Sequence, residues 1–219
     1  MIKLQNITRT FSGPNGKVTA LNDINMTLSP GELLAIRGPS GCGKSTLLLT
    51  AAGMLKPDNG EVLYQGKDNP YNFNPDKRSR LRAELIGFVF QQFHLIPYLT
   101  VMENIITASL TAAVEDSETR ARKLISRFGL EERADHLPSQ LSTGEKQRTA
   151  LARAFFNQPK VIMADEPTGN LDDENADIVL THLKSYVEDG GCVLLVTHSA
   201  RAAEYATRIL NMKNGMFQL

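Results

Sequence analysis

The period of the apolar positions changes several times along the chain. Ile2–Leu4, Val18–Leu21 and Ile24–Leu28 alternate apolar with polar and predict antiparallel strands, with a turn at Gly13–Gly16. Leu33-Leu34-Ala35-Ile36 is continuously apolar, the pattern of a strand buried on both faces. A loop and a short amphipathic helix, Ser45–Ala52, follow and end near Gly53. Glu61–Tyr64 is a further short strand. Residues 67–75, rich in proline and asparagine, read as loop, and Leu85–Phe90 is a buried strand ending at Gln91. Helical spacing then takes over at Val101–Ala112, Ser117–Phe128 and Gly144–Asn157. Beyond it, the buried strands Val161–Ala164 and Cys192–Thr197 alternate with helices at Glu174–Glu188 and Ser199–Tyr205. Ile209–Met212 and Met216–Leu219 close the chain as a hairpin around Asn214-Gly215.

Buried strands separated by helices imply an α/β fold with a mostly parallel core sheet. An antiparallel β subdomain precedes that sheet, and a helical subdomain is inserted at approximately 92–157, all within one domain over 1–219. Lys plus Arg and Asp plus Glu both number 24, so the formal net charge is zero, which argues against a nucleic-acid partner. No apolar run approaches the roughly 18 residues of a membrane span, and MIKLQNITRT lacks the apolar core of a signal peptide. A cytoplasmic location is expected. The two cysteines, Cys42 and Cys192, suit a reducing compartment and suggest no disulfide framework.

The chemistry concentrates in a few segments. Residues 38–46 read Gly-Pro-Ser-Gly-Cys-Gly-Lys-Ser-Thr, the GxxxxGK[ST] phosphate loop, between an apolar strand and a helix. Its glycines let successive N–H groups face one anion, and the helix N-terminus adds partial positive charge. Gly38, Ser40, Gly41, Cys42, Gly43, Lys44, Ser45 and Thr46 are the expected nucleotide contacts. Lys44 can reach the terminal phosphates, and the Ser45 hydroxyl can bind Mg²⁺. Asp165-Glu166 follows the apolar strand Val161–Ala164, where a carboxylate points into the ligand crevice of an α/β sheet. Asp165 suits a Mg²⁺ partner, and Glu166 suits a base that activates water. Leu141-Ser142-Thr143-Gly144-Glu145 opens a helix and, alone, is an ordinary cap. His94, His136 and His182 show no metal-ligand spacing.

Taken in order, these segments resemble the ATP-binding subunit of ATP-binding cassette (ABC) transporters over nearly the whole chain, Ile2 to Leu219. The resemblance implies a P-loop NTPase fold with ATP and Mg²⁺ as ligands. It makes Gly38–Thr46 the Walker A loop, Val161–Glu166 Walker B and Leu141–Glu145 the signature. It assigns Gln91 to Mg²⁺ and the attacking water, Asn170-Leu171-Asp172 to the D-loop, and His198 to the γ-phosphate. Phe11 matches the position that stacks on adenine, although packing within the first sheet is an equal alternative. Cys42 is read either as a space-filler or as a thiol activated by the helix N-terminus. One departure stands out: Thr143 occupies the first of the family's two signature glycines, where a β-branched residue disfavours positive φ.

The run Ile86-Gly87-Phe88-Val89-Phe90-Gln91 and the segment Asp165–Asp172 are similar to the lipoprotein-releasing and macrolide-exporter branch. This likeness implies a homodimer in the ATP-bound state, each ATP lying between Gly38–Thr46 of one copy and Ser142 and Gly144 of the other. It also implies transmembrane permease subunits, peripheral attachment to the cytoplasmic face of the cell (inner) membrane, and docking near residues 93–104. That apolar segment alternatively packs into the helical subdomain. A non-transport ATPase regulating cell division or cell-wall enzymes is the alternative role. A DNA-repair or chromosome-organising ATPase is disfavoured, because the interval from Lys44 to Asp165 holds no heptad run.

Overall fold

The computed structural model describes residues 1–13, 16–111 and 116–218. The tip of the expected first turn (Pro14 and Asn15), the expected helix end at Ala112, and Leu219 lie outside the described residues.

Two sheets organise the molecule. The first is antiparallel and joins β1 (Ile2–Gly13), β2 (Gly16–Leu28) and β4 (Asn59–Tyr64) in the order β2-β1-β4. β2 runs unbroken where two strands were expected. The polar pair Asn22-Asp23 is absorbed as an irregularity, with Asp23 in the left-handed region at φ 51° and a shift of register against β1.

The second sheet contains β3 (Leu33–Arg37), β5 (Ile86–Val89), β6 (Val161–Asp165), β7 (Cys192–Thr197), β8 (Arg208–Lys213) and β9 (Met216–Phe217) in the order β5-β6-β7-β3-β8-β9. All its pairs are parallel except β8 with β9. Alternate residues of β3 feed separate cores. Leu33 and Ala35 pack on the helical side, while Leu34 and Ile36 pack on the side of the antiparallel sheet. That two-sided burial explains the continuous apolar runs.

The helices are α1 (Lys44–Ala51), α2 (Pro75–Leu85), α3 (Val101–Ile106), α4 (Ser117–Arg127), α5 (Thr143–Phe155), α6 (Asp173–Glu188) and α7 (Ala200–Glu204). α3 gives way to a 3₁₀ turn over Thr107–Thr111 rather than continuing. α2 was not expected, and it takes Leu85 from the predicted strand. Asn74 caps it by accepting from the Lys77 N–H at 2.8 Å, and Pro75 occupies its first position. Its apolar positions are too few to announce a helical stripe. No helix among the described residues is long and apolar enough to cross a membrane.

Segment 93–104 divides between surface and core. Val101 and Ile105 are fully buried, whereas Tyr98 is 76% exposed. Buried Asn104 holds the loop: its amide donates to the carbonyls of Ile96, Leu99 and Thr100, and its oxygen accepts from the Ile96 N–H. A single polar side chain in the core thereby satisfies a turn of loop backbone that would otherwise be unpaired.

Candidate functional site

β6, β7 and β3 are adjacent and parallel, so their C-terminal ends form one edge. That edge carries Asp165 and Glu166 after β6, Thr197 and His198 after β7, and the glycine loop after β3. Gln91 lies just beyond β5 on the same edge. Sheet topology alone therefore gathers residues more than a hundred positions apart, as ligand crevices of open α/β sheets do.

The loop is shaped by close backbone approach. A Cβ on Gly38 would stand 2.2 Å from the Met212 carbonyl oxygen, and one on Gly43 would stand 2.2 Å from that of Ala20. Gly43 also has φ 111°, so glycine is required there twice over. Lys44 is 6% exposed. Its ammonium donates to the carbonyls of Gly38 at 2.8 Å and Pro39 at 3.0 Å, with Glu166 Oε1 at 3.8 Å. Cys42 is buried and its Sγ lies close to Gly38, which fits the space-filling reading.

Ser45 Oγ donates to Asp165 Oδ1 at 3.1 Å. Burial raises the Asp165 carboxyl above its ordinary value; the Ser45 hydrogen bond opposes this, neighbouring Glu166 adds to it, and Lys44 opposes it. A hydroxyl beside a desolvated carboxylate is a hard-oxygen donor pair. It fits Mg²⁺, which takes one or two protein carboxylates and draws its other ligands from phosphate and water.

Glu166 is the most constrained residue of the edge. Its φ is 45°, unusual for a side-chain-bearing residue, and its N–H is tied to the Val196 carbonyl at 2.9 Å. The Thr197 hydroxyl and the His198 N–H donate to Oε2 at 3.1 and 3.2 Å, and His198 Nδ1 lies 2.9 Å from Oε1. A carboxylate held by three partners, with a lysine beyond it, is oriented rather than free. Gln91 joins through its surroundings: Asn170 donates to its carbonyl at 3.2 Å, and a Cβ on Gly169 would meet its amide nitrogen at 3.0 Å.

The remaining expected residues lie apart from this cluster. Ser142 caps α5, with its hydroxyl accepting from the Glu145 N–H while the Glu145 carboxylate accepts from the Ser142 N–H at 2.7 Å. Ser142 makes no hydrogen bond to the loop or to the paired carboxylates among the described residues. Gly144 is buried against α6, where a Cβ would stand 2.1 Å from Asn175 Oδ1. Asp172 caps α6, accepting from the Asn175 N–H at 2.8 Å, and that hydrogen bond lowers its carboxyl. Phe11 lies in β1 and is 39% exposed, so part of its ring is open to a ligand and the rest is covered. It pairs with Val18, two residues from the Ala20 carbonyl beneath Gly43, and the Arg9 guanidinium lies over its ring at 4.9 Å.

Thr143 sits at the first position of α5 with no positive φ. The backbone there is one that threonine adopts without strain, so the departure from two glycines needs no special accommodation. Thr143→Gly is expected to bring no gain in ATP-driven dimerisation of a Glu166→Gln background. It should instead cost up to about 1 kcal/mol of helix stability. Gel filtration across a concentration series, with a melting curve, checks both.

Sequence reasoning passed over Thr197, a threonine at the end of a strand with nothing to mark it, and Gln147. Gln147 is fully buried in α5 and donates to the Pro167 carbonyl at 2.6 Å, linking α5 to the turn after Glu166.

Residues 21–169 match the family described as ABC transporter. The lipoprotein-releasing system ATP-binding protein LolD of Hyphomonas neptunium is 42% identical over 98% of this chain and 95% of its own length. The macrolide export ATP-binding/permease protein MacB of Pasteurella multocida is 41% identical over 98% of this chain, which spans 33% of that longer protein. A solved dimer of the ATP-binding cassette MJ0796 in a post-hydrolysis state with ADP and Pi superposes with a TM-score of 0.92 at 37% identity, covering 100% of this chain and 97% of that one.

Proposed function

The chain belongs to the ABC transporter family and is an ATP-hydrolysing cassette, and from that premise we propose that two copies close head to tail around ATP and drive a partner permease. The observation that carries this reading is the split geometry. Lys44, Ser45, Asp165, Glu166 and His198 converge on one edge, while Ser142 and Gly144 lie apart at the start of α5. A second copy supplies the missing face, as the dimeric MJ0796 cassette supports.

In this reading the loop N–H groups and Lys44 hold the phosphates, with Lys44 turning from the Gly38 and Pro39 carbonyls toward the nucleotide. Ser45, Asp165 and Gln91 would hold Mg²⁺, which neutralises charge on the phosphate oxygens. Phe11 offers its exposed ring to the adenine, a stack worth roughly 1–3 kcal/mol. Glu166, fixed by Thr197 and His198, takes a proton from the attacking water, and His198 faces the γ-phosphate. Closure is supported by ATP contacts on both faces, and hydrolysis removes them.

The permease is proposed to dock at 93–104 and the neighbouring cleft of about 480 Å³, which is lined by Phe88, Phe90, His94, Arg153 and Asn157. Arg153 on α5 donates to the Phe93 and His94 carbonyls at 2.8 and 2.7 Å. Movement of this surface would therefore reach the helix that Ser142 caps. Such docking places the chain on the cytoplasmic face of the membrane. The helical elements between β5 and β6 act as the moving subdomain, approximately 92–157. Leu95→Glu and Tyr98→Glu are expected to abolish copurification of the permease and leave the ATPase of the isolated chain within about twofold, because neither side chain lies at the phosphate edge. Cooperative loss of melting temperature with permease binding retained would contradict this assignment.

A further inference from the structure

α7 begins two residues after His198 and is only five residues long. Its buried face consists of Ala202 and Ala203. Two alanines bury little apolar surface, and partly buried Tyr205 and Ala206 just beyond the helix add the rest of its packing. Arg201 supplies a directional hold. Its Nε and Nη2 donate to the two oxygens of Asp177 on α6 at 3.0 and 2.5 Å, and its Nη1 lies 2.9 Å from Asp173 Oδ2. The Tyr205 hydroxyl donates to Asp177 Oδ1 at 3.0 Å. A planar fork on a carboxylate fixes orientation as well as distance. These contacts also hold the Asp177 carboxyl below its ordinary value.

The same two turns of α6 carry Asp172, its cap, and Asn175, which packs against Gly144. The start of α6 therefore touches the segment assigned to the partner's ATP on one side. On the other it grips the helix that follows the histidine assigned to its own. His198 is 58% exposed at its side chain and is held by Glu166, and α7 follows it after Ser199, so a shift of α7 would reach His198 through that one residue.

We propose that Arg201, through Asp177 and Asp173, is a positioning residue for hydrolysis: it sets His198 against Glu166 and ties that setting to the helix packed on Gly144. This rests on the reading of His198 as a nucleotide-facing group. The test is steady-state ATPase kinetics of Arg201→Ala, Arg201→Lys, Asp177→Asn and His198→Ala, with melting curves. Arg201→Ala and Asp177→Asn should each lower kcat about tenfold through misplacement. KM for ATP should stay within about twofold, and the melting temperature within about 4 °C, because the pair is partly exposed. Arg201→Lys should recover part of the loss by keeping the charge. Wild-type kcat in both Arg201→Ala and Asp177→Asn, with His198→Ala impaired, would overturn the positioning role alone. So would a loss tracked by KM or by unfolding, or no recovery with lysine. Wild-type turnover in His198→Ala would overturn the reading of His198 itself.

Discussion

Glu166→Gln is expected to keep ATP binding within a few-fold and to lose about 10²–10⁴-fold in turnover, the scale of a general base. Glutamine has the same length and keeps one oxygen for the Thr197 hydroxyl and the His198 N–H, which donate to Oε2 in the native site. The backbone at φ 45° is anchored by the Val196 carbonyl and is indifferent to the exchange. What disappears is the capacity to accept a proton from water. Phosphate release and calorimetric ATP titration separate the two effects. Near-normal turnover would remove Glu166 from the chemistry.

Lys44→Ala is expected to lower hydrolysis by at least about 10²-fold, the usual cost of removing one preorganised charge-stabilising donor. ATP affinity should fall roughly 10–100-fold, as the loss of a charged hydrogen bond worth about 1.5–3 kcal/mol implies. Lys44 is the only charged residue in Gly38–Thr46, so no neighbour within the loop takes over. Its ammonium already sits in the loop on the Gly38 and Pro39 carbonyls, and it is the cation beside Glu166. Unchanged affinity by calorimetry would contradict this role.

The phosphate edge was legible because short-range signals coincide there. A glycine pattern with one lysine stands between an apolar strand and a helix, and two carboxylates end another apolar strand. Features that depend on distant partners were not legible. α2 hides because its helix is mostly polar and is announced only by the Asn74-Pro75 cap. The left-handed Glu166 follows from the clamp around it and leaves no trace in composition. Asn104 reads as a polar residue on a helix, yet it is fully buried and organises the loop before it. The backbone strain that residue types suggest at Thr143 is absent, because the position is helical without positive φ. Phe11 has two equal readings in the sequence, and a ring partly open and partly covered suits both.

Head-to-tail closure is tested most directly by light-scattering mass of Glu166→Gln with and without saturating MgATP. The nucleotide-free protein should run at the monomer mass of 24.1 kDa. With ATP it should shift to twice that mass, and Ser142→Arg in the same background should prevent the shift by obstructing the face offered to the partner's nucleotide. A monomer mass at saturating ATP, or a dimer indifferent to ATP, would contradict it.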